Sequence, residues 1–154
     1  MLEDNTSMTQ PEYINRVISY LYRYGQRFLV KKFKEYGLPF EVGQLPFIMQ
    51  IYRNPGITQE GISANAVMDK GTTARGVKRL EKLGLAARET DLRDRRVNHI
   101  YPTPAALEIK DWVFRIIDEL HQVLYRGLSE DEIPLAVSLL FRMKDNMKDY
   151  FSNN

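Results

Sequence analysis

Cysteine is missing from this chain of 154 residues. Its absence excludes a disulfide framework, a thiolate zinc site and a thiol redox switch. No stretch approaches the roughly 18 consecutive apolar residues of a membrane-spanning helix. The start, Met1-Leu2-Glu3-Asp4, lacks the basic-then-apolar pattern of a secretory leader. The expected location is therefore the cytoplasm, with no membrane partner. Histidine is scarce: only His99 and His121 occur. No nucleophile elbow, phosphate loop or HExxH pattern accompanies them. Asp118 and His121, three residues apart on one predicted helix, supply too few ligands for a metal. Neither catalytic nor metal-binding residues are expected, and no cofactor is implied.

What remains is ordinary globular material, 44% hydrophobic and 27% charged, in a length that suits a single domain with its own core. The formal net charge is only +2, but it is unevenly spread. Between Lys70 and Arg96 lie nine Lys or Arg against four acids, whereas the rest of the chain holds 13 bases and 16 acids. A basic segment on an otherwise acidic chain points to a phosphate-rich partner, with a solvated helix face as the alternative.

Periodicity divides the chain into eight elements. From Pro11 to Tyr36 the residues Ile14, Val17, Ile18, Leu21, Phe28, Leu29, Phe33 and Tyr36 keep helical spacing, with Thr9 and Pro11 as start signals and Gly37 as the stop. A shorter helix spans about Gln44 to Arg53 and ends at Asn54-Pro55-Gly56. Thr58 caps a segment to Ala66, and Asp69 caps another from Lys70 to Leu83, closed by Gly84. Two short helices so close together outline a helix-turn-helix. Leu85–Glu89 and Val97–Tyr101 then read as strands around a polar tip, a β-hairpin. Thr103 caps a helix to about Tyr125, and Ser129 with Glu132 forms a capping box for the last one. The order α-α-α-α-β-β-α-α gives a mainly α fold with a small β-hairpin wing, a winged helix with further helices at both ends.

Two features carry chemistry. On the helix from Lys70 to Leu83, Ala74, Val77, Leu80 and Leu83 face inward, leaving Thr72, Arg75, Lys78, Arg79 and Lys82 broadly opposite. Such a face suits a DNA major groove: Thr meets phosphate or a thymine methyl, and Arg forks onto guanine. Asp69 and Gly71 set backbone N–H groups at the helix start, where phosphate can dock. In the hairpin tip, Arg93, Arg95 and Arg96 fit a narrow, electronegative minor groove, and Asp94 serves to hold one guanidinium in place. Each feature also has a plainer reading, an amphipathic surface helix and a charged turn.

The segments Ile57-Thr58-Gln59-Glu60, Asp69-Lys70-Gly71-Thr72-Thr73-Ala74-Arg75 and Leu80-Glu81-Lys82-Leu83-Gly84-Leu85 resemble the helix-turn-helix of MarR-family regulators. Asp94-Arg95-Arg96 is similar to that family's Asp-x-Arg wing signature, and Pro102-Thr103 falls where it usually has Leu-Thr. The likeness covers nearly the whole chain and implies a single domain over residues 1–154, with the DNA-binding lobe at about 44–101 and dimerisation helices at about 9–37 and 103–152. It implies a cytoplasmic homodimer that binds double-stranded DNA at a palindromic operator, most simply as a repressor. It implies that Gly71, Thr72, Thr73, Arg75, Lys78 and Arg79 read or grip the major groove, and that Arg96, braced by Asp94 and flanked by Arg93 and Arg95, enters the minor groove. It further implies release by a small aromatic or phenolic effector. Tyr20, Arg23 and Tyr24 on the first helix are expected to line such a cleft, Arg23 pairing a carboxylate while the rings stack; alternatively the tyrosines edge a dimer interface. Two residues depart from the family pattern: Val67 replaces the Gly of the helix-turn-helix turn, and Gly76 stands mid-helix, where only close approach of another backbone suggests a reason. The alternative function is a winged-helix protein-interaction module without specific DNA binding.

Overall fold

The computed structural model describes residues 10–154; Thr9 lies outside them. A 3-10 turn at Pro11–Tyr13 leads into α1 (Ile14–Tyr36), followed by α2 (Leu45–Arg53), β1 (Ile57–Thr58), α3 (Gln59–Ala66), α4 (Lys70–Lys82), β2 (Ala86–Thr90), β3 (Asn98–Pro102), α5 (Pro104–Leu124) and α6 (Glu132–Ser152). Two compact units result, one ending at Ile117 and one covering Asp118–Asn154.

The first unit is built around α2, α3, α4 and β3. Ile48, Ile51, Ile62, Val77, Leu80 and Ile100 are all fully buried there, with Val113 and Ile116 from α5. Branched aliphatic side chains at helical spacing on three short helices cannot bury themselves alone; only mutual packing removes them from water. Local signals set the ends. The Thr58 hydroxyl accepts the Gly61 N–H at 3.0 Å, and Gly37 and Gly84 close α1 and α4 at φ values of 63° and 73°. Thr103 works in two directions: its hydroxyl accepts the Ala106 N–H at 3.2 Å and donates to the Gly84 carbonyl at 2.5 Å, tying the start of α5 to the end of α4. Tyr52 reaches across from α2 to donate to the Ala106 carbonyl at 2.6 Å, and burial pushes its phenol up to about 12.

The sheet has one strand more than the sequence suggests. β2 pairs β3 antiparallel, Arg88 opposite Ile100, and β1 pairs the other edge of β3, Ile57 opposite Ile100 and Thr58 opposite His99. Two residues are too short for a period to show, and β1 exists because β3 offers it an edge.

Of the two departures from the family pattern, the structure explains Gly76 and shows Val67 in a backbone conformation that favours glycine. A Cβ on Gly76 would meet the Phe47 ring at 2.3 Å. The close neighbour is thus an aromatic side chain of α2, not a backbone. Val67, 82% exposed, closes α3 in the left-handed region at φ 54° and ψ 47°.

In the second unit, the expected capping box forms: the Ser129 hydroxyl accepts the Glu132 N–H at 3.2 Å, and the Glu132 carboxylate accepts the Ser129 N–H at 3.4 Å. His121 stacks on Tyr125 at 5.6 Å. Along α6, Leu135, Leu139, Met143, Met147 and Phe151 remain exposed.

Candidate nucleic-acid interface

The start of α4 is a chain of hydrogen bonds. The Asp69 carboxylate accepts the Thr72 N–H at 2.8 Å and the Thr72 hydroxyl at 2.6 Å, and that hydroxyl accepts from the Arg75 guanidinium at 3.2 Å. The Thr72 hydroxyl and N–H, ahead of Arg75, hold the Asp69 carboxyl below its usual range. One backbone N–H at the helix start is therefore already taken by the cap, while Arg75 is oriented along the outer face. Gly71, Arg75, Lys78, Arg79 and Lys82 are exposed, and Thr72 is half-buried.

Thr73 departs from expectation. It is fully buried, and its hydroxyl donates to the Asp69 carbonyl at 2.9 Å. It shares the inward stripe with Gly76, Val77 and Leu80, and the local hydrogen bond satisfies its one polar group. The Thr73 side chain thus supports the helix from within and does not lie on its outer face.

The wing carries Arg93, Arg95 and Arg96 in the exposed loop between β2 and β3. Arg96 is 90% exposed yet held by both forks of one carboxylate: Nε donates to Asp94 Oδ1 at 3.1 Å and Nη2 to Oδ2 at 3.2 Å. The Arg96 N–H also reaches Asp94 Oδ1 at 3.0 Å, and these bonds hold the Asp94 carboxyl below its usual range. A bidentate pair orients the planar guanidinium while leaving its outer edge to another acceptor.

Three contributors were not singled out from the sequence. Lys70 joins Arg96, Thr58, Gln59, Glu60, Ser63, Val97 and Asn98 around a depression of about 330 Å³ between α3, the start of α4 and the root of the wing. Arg88, counted among the basic cluster, is instead consumed inside it, donating to Glu81 at 2.7 Å and Gln59 at 3.1 Å and so tying β2 to α4 and α3. Asp91 shapes the wing loop. One carboxylate oxygen accepts the N–H groups of Arg93 and Asp94 at 2.8 and 2.9 Å, and the other lies 2.8 Å from His99 Nε2. The remaining ring nitrogen, Nδ1, lies 2.8 Å from the Gly56 carbonyl. The His99 bond, then the Asp94 and Arg93 N–H groups, hold the Asp91 carboxyl down at about 2. The Asp91 bond, then the Gly56 carbonyl, raise His99 above the ordinary imidazole value.

On α1, Tyr20, Arg23 and Tyr24 are exposed and, with Arg27, line an open depression of about 290 Å³. The Arg27 guanidinium lies 5.7 Å from the Tyr24 ring centre. Arg27 follows Arg23 by one helical turn, the spacing that could have flagged it.

Among the described residues no helix is long and apolar enough to cross a membrane. Residues 36–97 match the family model of the MarR family. The chain is 31% identical over 100 residues to the transcriptional regulator HosA of Escherichia coli O157:H7, covering 65% of this chain and 74% of that protein. It superposes with a TM-score of 0.79 on the crystal structure of a MarR transcriptional regulator from Methanosarcina mazei Go1, at 35% identity, over 89% of this chain and 98% of that one. With a TM-score of 0.82 and 27% identity it also matches a putative MarR family transcriptional regulator from Listeria monocytogenes complexed with 26mer DNA, over 88% of this chain and 89% of that one. With its helix-turn-helix, braced wing arginine and flanking helices on a shared backbone, this chain belongs to the MarR family, whose members are transcriptional regulators rather than enzymes.

Proposed function

We propose that the protein is a cytoplasmic repressor that binds a pseudo-palindromic operator as a homodimer and is released by a small aromatic ligand. The observation that carries this reading is the pairing of two exposed basic elements in one lobe, the outer face of α4 with Arg75, Lys78 and Arg79, and a wing whose Arg96 is held by Asp94. An oriented Arg at each position can read a groove edge, and the surrounding cations neutralise phosphates. The apolar side chains left exposed on α1 and α6, among them Ile14, Ile18, Leu21, Leu135 and Met147, support a second copy as partner, since closed two-fold pairing is the commonest way to cover such a face. The DNA-bound Listeria relative supports duplex DNA as the other partner. The Tyr20, Arg23, Tyr24 and Arg27 depression supports an aromatic acid as effector, its carboxylate on Arg23 and its ring against tyrosine.

Selection of bound sequences from random duplex DNA tests operator and symmetry together. The expected product is an inverted repeat with half-site centres about 10 bp apart; enrichment of a single asymmetric half-site overturns the dimeric reading. Affinity for that duplex should fall steeply with salt through counterion release, whereas a protein-interaction module would enrich no sequence. A reporter carrying the operator should be silenced by the protein and relieved by a benzoate-class acid, with relief lost in Arg23→Ala.

A further inference from the structure

Besides strand pairing and the Arg88 bonds, one imidazole links the wing loop to the turn before β1. His99 bridges the Asp91 carboxylate, which orders the wing loop, and the Gly56 carbonyl, which belongs to the turn before β1. A carbonyl can only accept, and so can an ionised carboxylate. A neutral imidazole carries one N–H and satisfies one of the two; the imidazolium satisfies both. We propose that Asp91 and His99 are positioning residues for the DNA-contacting wing, and that His99 must carry both ring protons to seat it, so that operator binding takes up a proton and tightens as pH falls. This rests on the DNA-binding reading of the wing given above.

The surroundings are consistent with a cationic ring. Asp91 faces it from the loop and Glu89 from β2, in register opposite His99. Thr58, opposite on β1, is uncharged. The helices packed on β3 bring Arg53 and the buried phenol Tyr52 on α2 and Glu60 on α3, with Arg53 and Glu60 exposed. Asp91, already ionised well below neutral pH, keeps its acceptor throughout the range in which His99 titrates. When His99 loses a proton, only one of its two bonds keeps a donor. The bridge from the wing loop through the ring to the turn before β1 is then broken on one side, and the loop holding Arg93, Asp94 and Arg96 is held less firmly. Binding DNA must then reorder the wing, and the cost appears as affinity linked to proton uptake.

The test is operator binding by fluorescence anisotropy from about pH 6 to about pH 8.5 at constant ionic strength. The expected result is roughly threefold to tenfold weakening over that range, the loss of a fraction of one charge-assisted hydrogen bond per wing. His121→Gln should keep that profile and His99→Gln should flatten it. Asp91→Asn keeps an acceptor for the two loop N–H groups but turns an amide N–H toward the ring, which only a neutral ring can accept while donating to Gly56. It should bind more weakly than the parent at pH 6 and tighten as pH rises, whereas simple repulsion between Asp91 and DNA predicts tighter binding at every pH. As a readout independent of variant folding, the His99 ring resonances of the unmodified chain should titrate at a higher midpoint in the operator complex than in the free protein. Parent binding that is present but flat with pH, a His99→Gln profile like the parent's, Asp91→Asn binding as tightly as the parent at pH 6, or an unchanged ring midpoint overturns the clamp. Absence of any operator binding at pH 6 overturns the DNA-binding reading itself.

Discussion

Arg75 and Lys78 lie one turn apart on α4, but their chemistry separates their roles. Arg75 is pre-oriented through Thr72 and Asp69, and its planar fork can make two bonds to one guanine, whereas the flexible Lys78 ammonium acts as a point charge. Arg75→Ala should cost about 1–3 kcal/mol on the selected operator and relax preference at one base pair per half-site. Lys78→Ala should weaken all duplexes alike and reduce the salt slope by about one. In the wing, Arg96→Ala should lower affinity most where the flanking minor groove is narrow. Asp94→Ala should give a weaker version of the same defect although it removes a negative charge, because the carboxylate that orients the guanidinium is gone. Titrations of these four variants on operator and scrambled duplex check all of this; tighter binding by Asp94→Ala would show that Asp94 repels DNA rather than braces Arg96. Residue roles were legible where a side chain and its partner are close in sequence, as with Asp94 and Arg96. They were hidden where the partner is distant, as with His99 and the Gly56 carbonyl 43 positions away.

Between residue and fold, the helix-turn-helix depends on two small-residue decisions. Gly76 weakens α4 by about 1 kcal/mol relative to Ala by intrinsic propensity, yet it is needed because the buried Phe47 ring of α2 occupies the space a methyl would take. Gly76→Ala should therefore destabilise the protein by about 1–3 kcal/mol, the usual cost of overpacking, read as a lower denaturant midpoint at unchanged slope. Val67 shows the opposite imbalance: a β-branched, exposed residue in the left-handed region carries about 1–2 kcal/mol of strain. Val67→Gly should relieve that strain, raising the unfolding free energy by up to about 1 kcal/mol after the added flexibility of the unfolded glycine is subtracted, read as a higher denaturant midpoint; a lowered midpoint would mean Val67 makes a compensating contact. Element type and order were readable because caps and apolar periods are local. β1 was not, since a two-residue strand is defined by its partner.

For the molecule as a whole, the inward-facing residues of the first unit account for its core, but the rows on α1 and α6 remain uncovered in one chain. An obligate C2 dimer is expected, at about twice the chain mass of 18.0 kDa in light scattering. A monomer at micromolar concentration would leave that apolar surface to water and contradict the pairing. A dimer would also present two winged lobes at once, the arrangement an inverted-repeat operator needs.

The sequence by itself determined the mainly α class, the order of elements, the capped helix-turn-helix and the Arg-tipped wing. Each of these follows from side chains within a few positions of one another, where periodicity, capping and charge act directly. Tertiary structure decided the rest. It turned Thr73 inward, set Phe47 against Gly76, spent Arg88 on Glu81 and Gln59, and joined Asp91, His99 and Gly56 across the sheet. Most of these outcomes depend on which residues from separate helices and strands compete for the same space or hydrogen bond, and local periodicity carries no information about that competition.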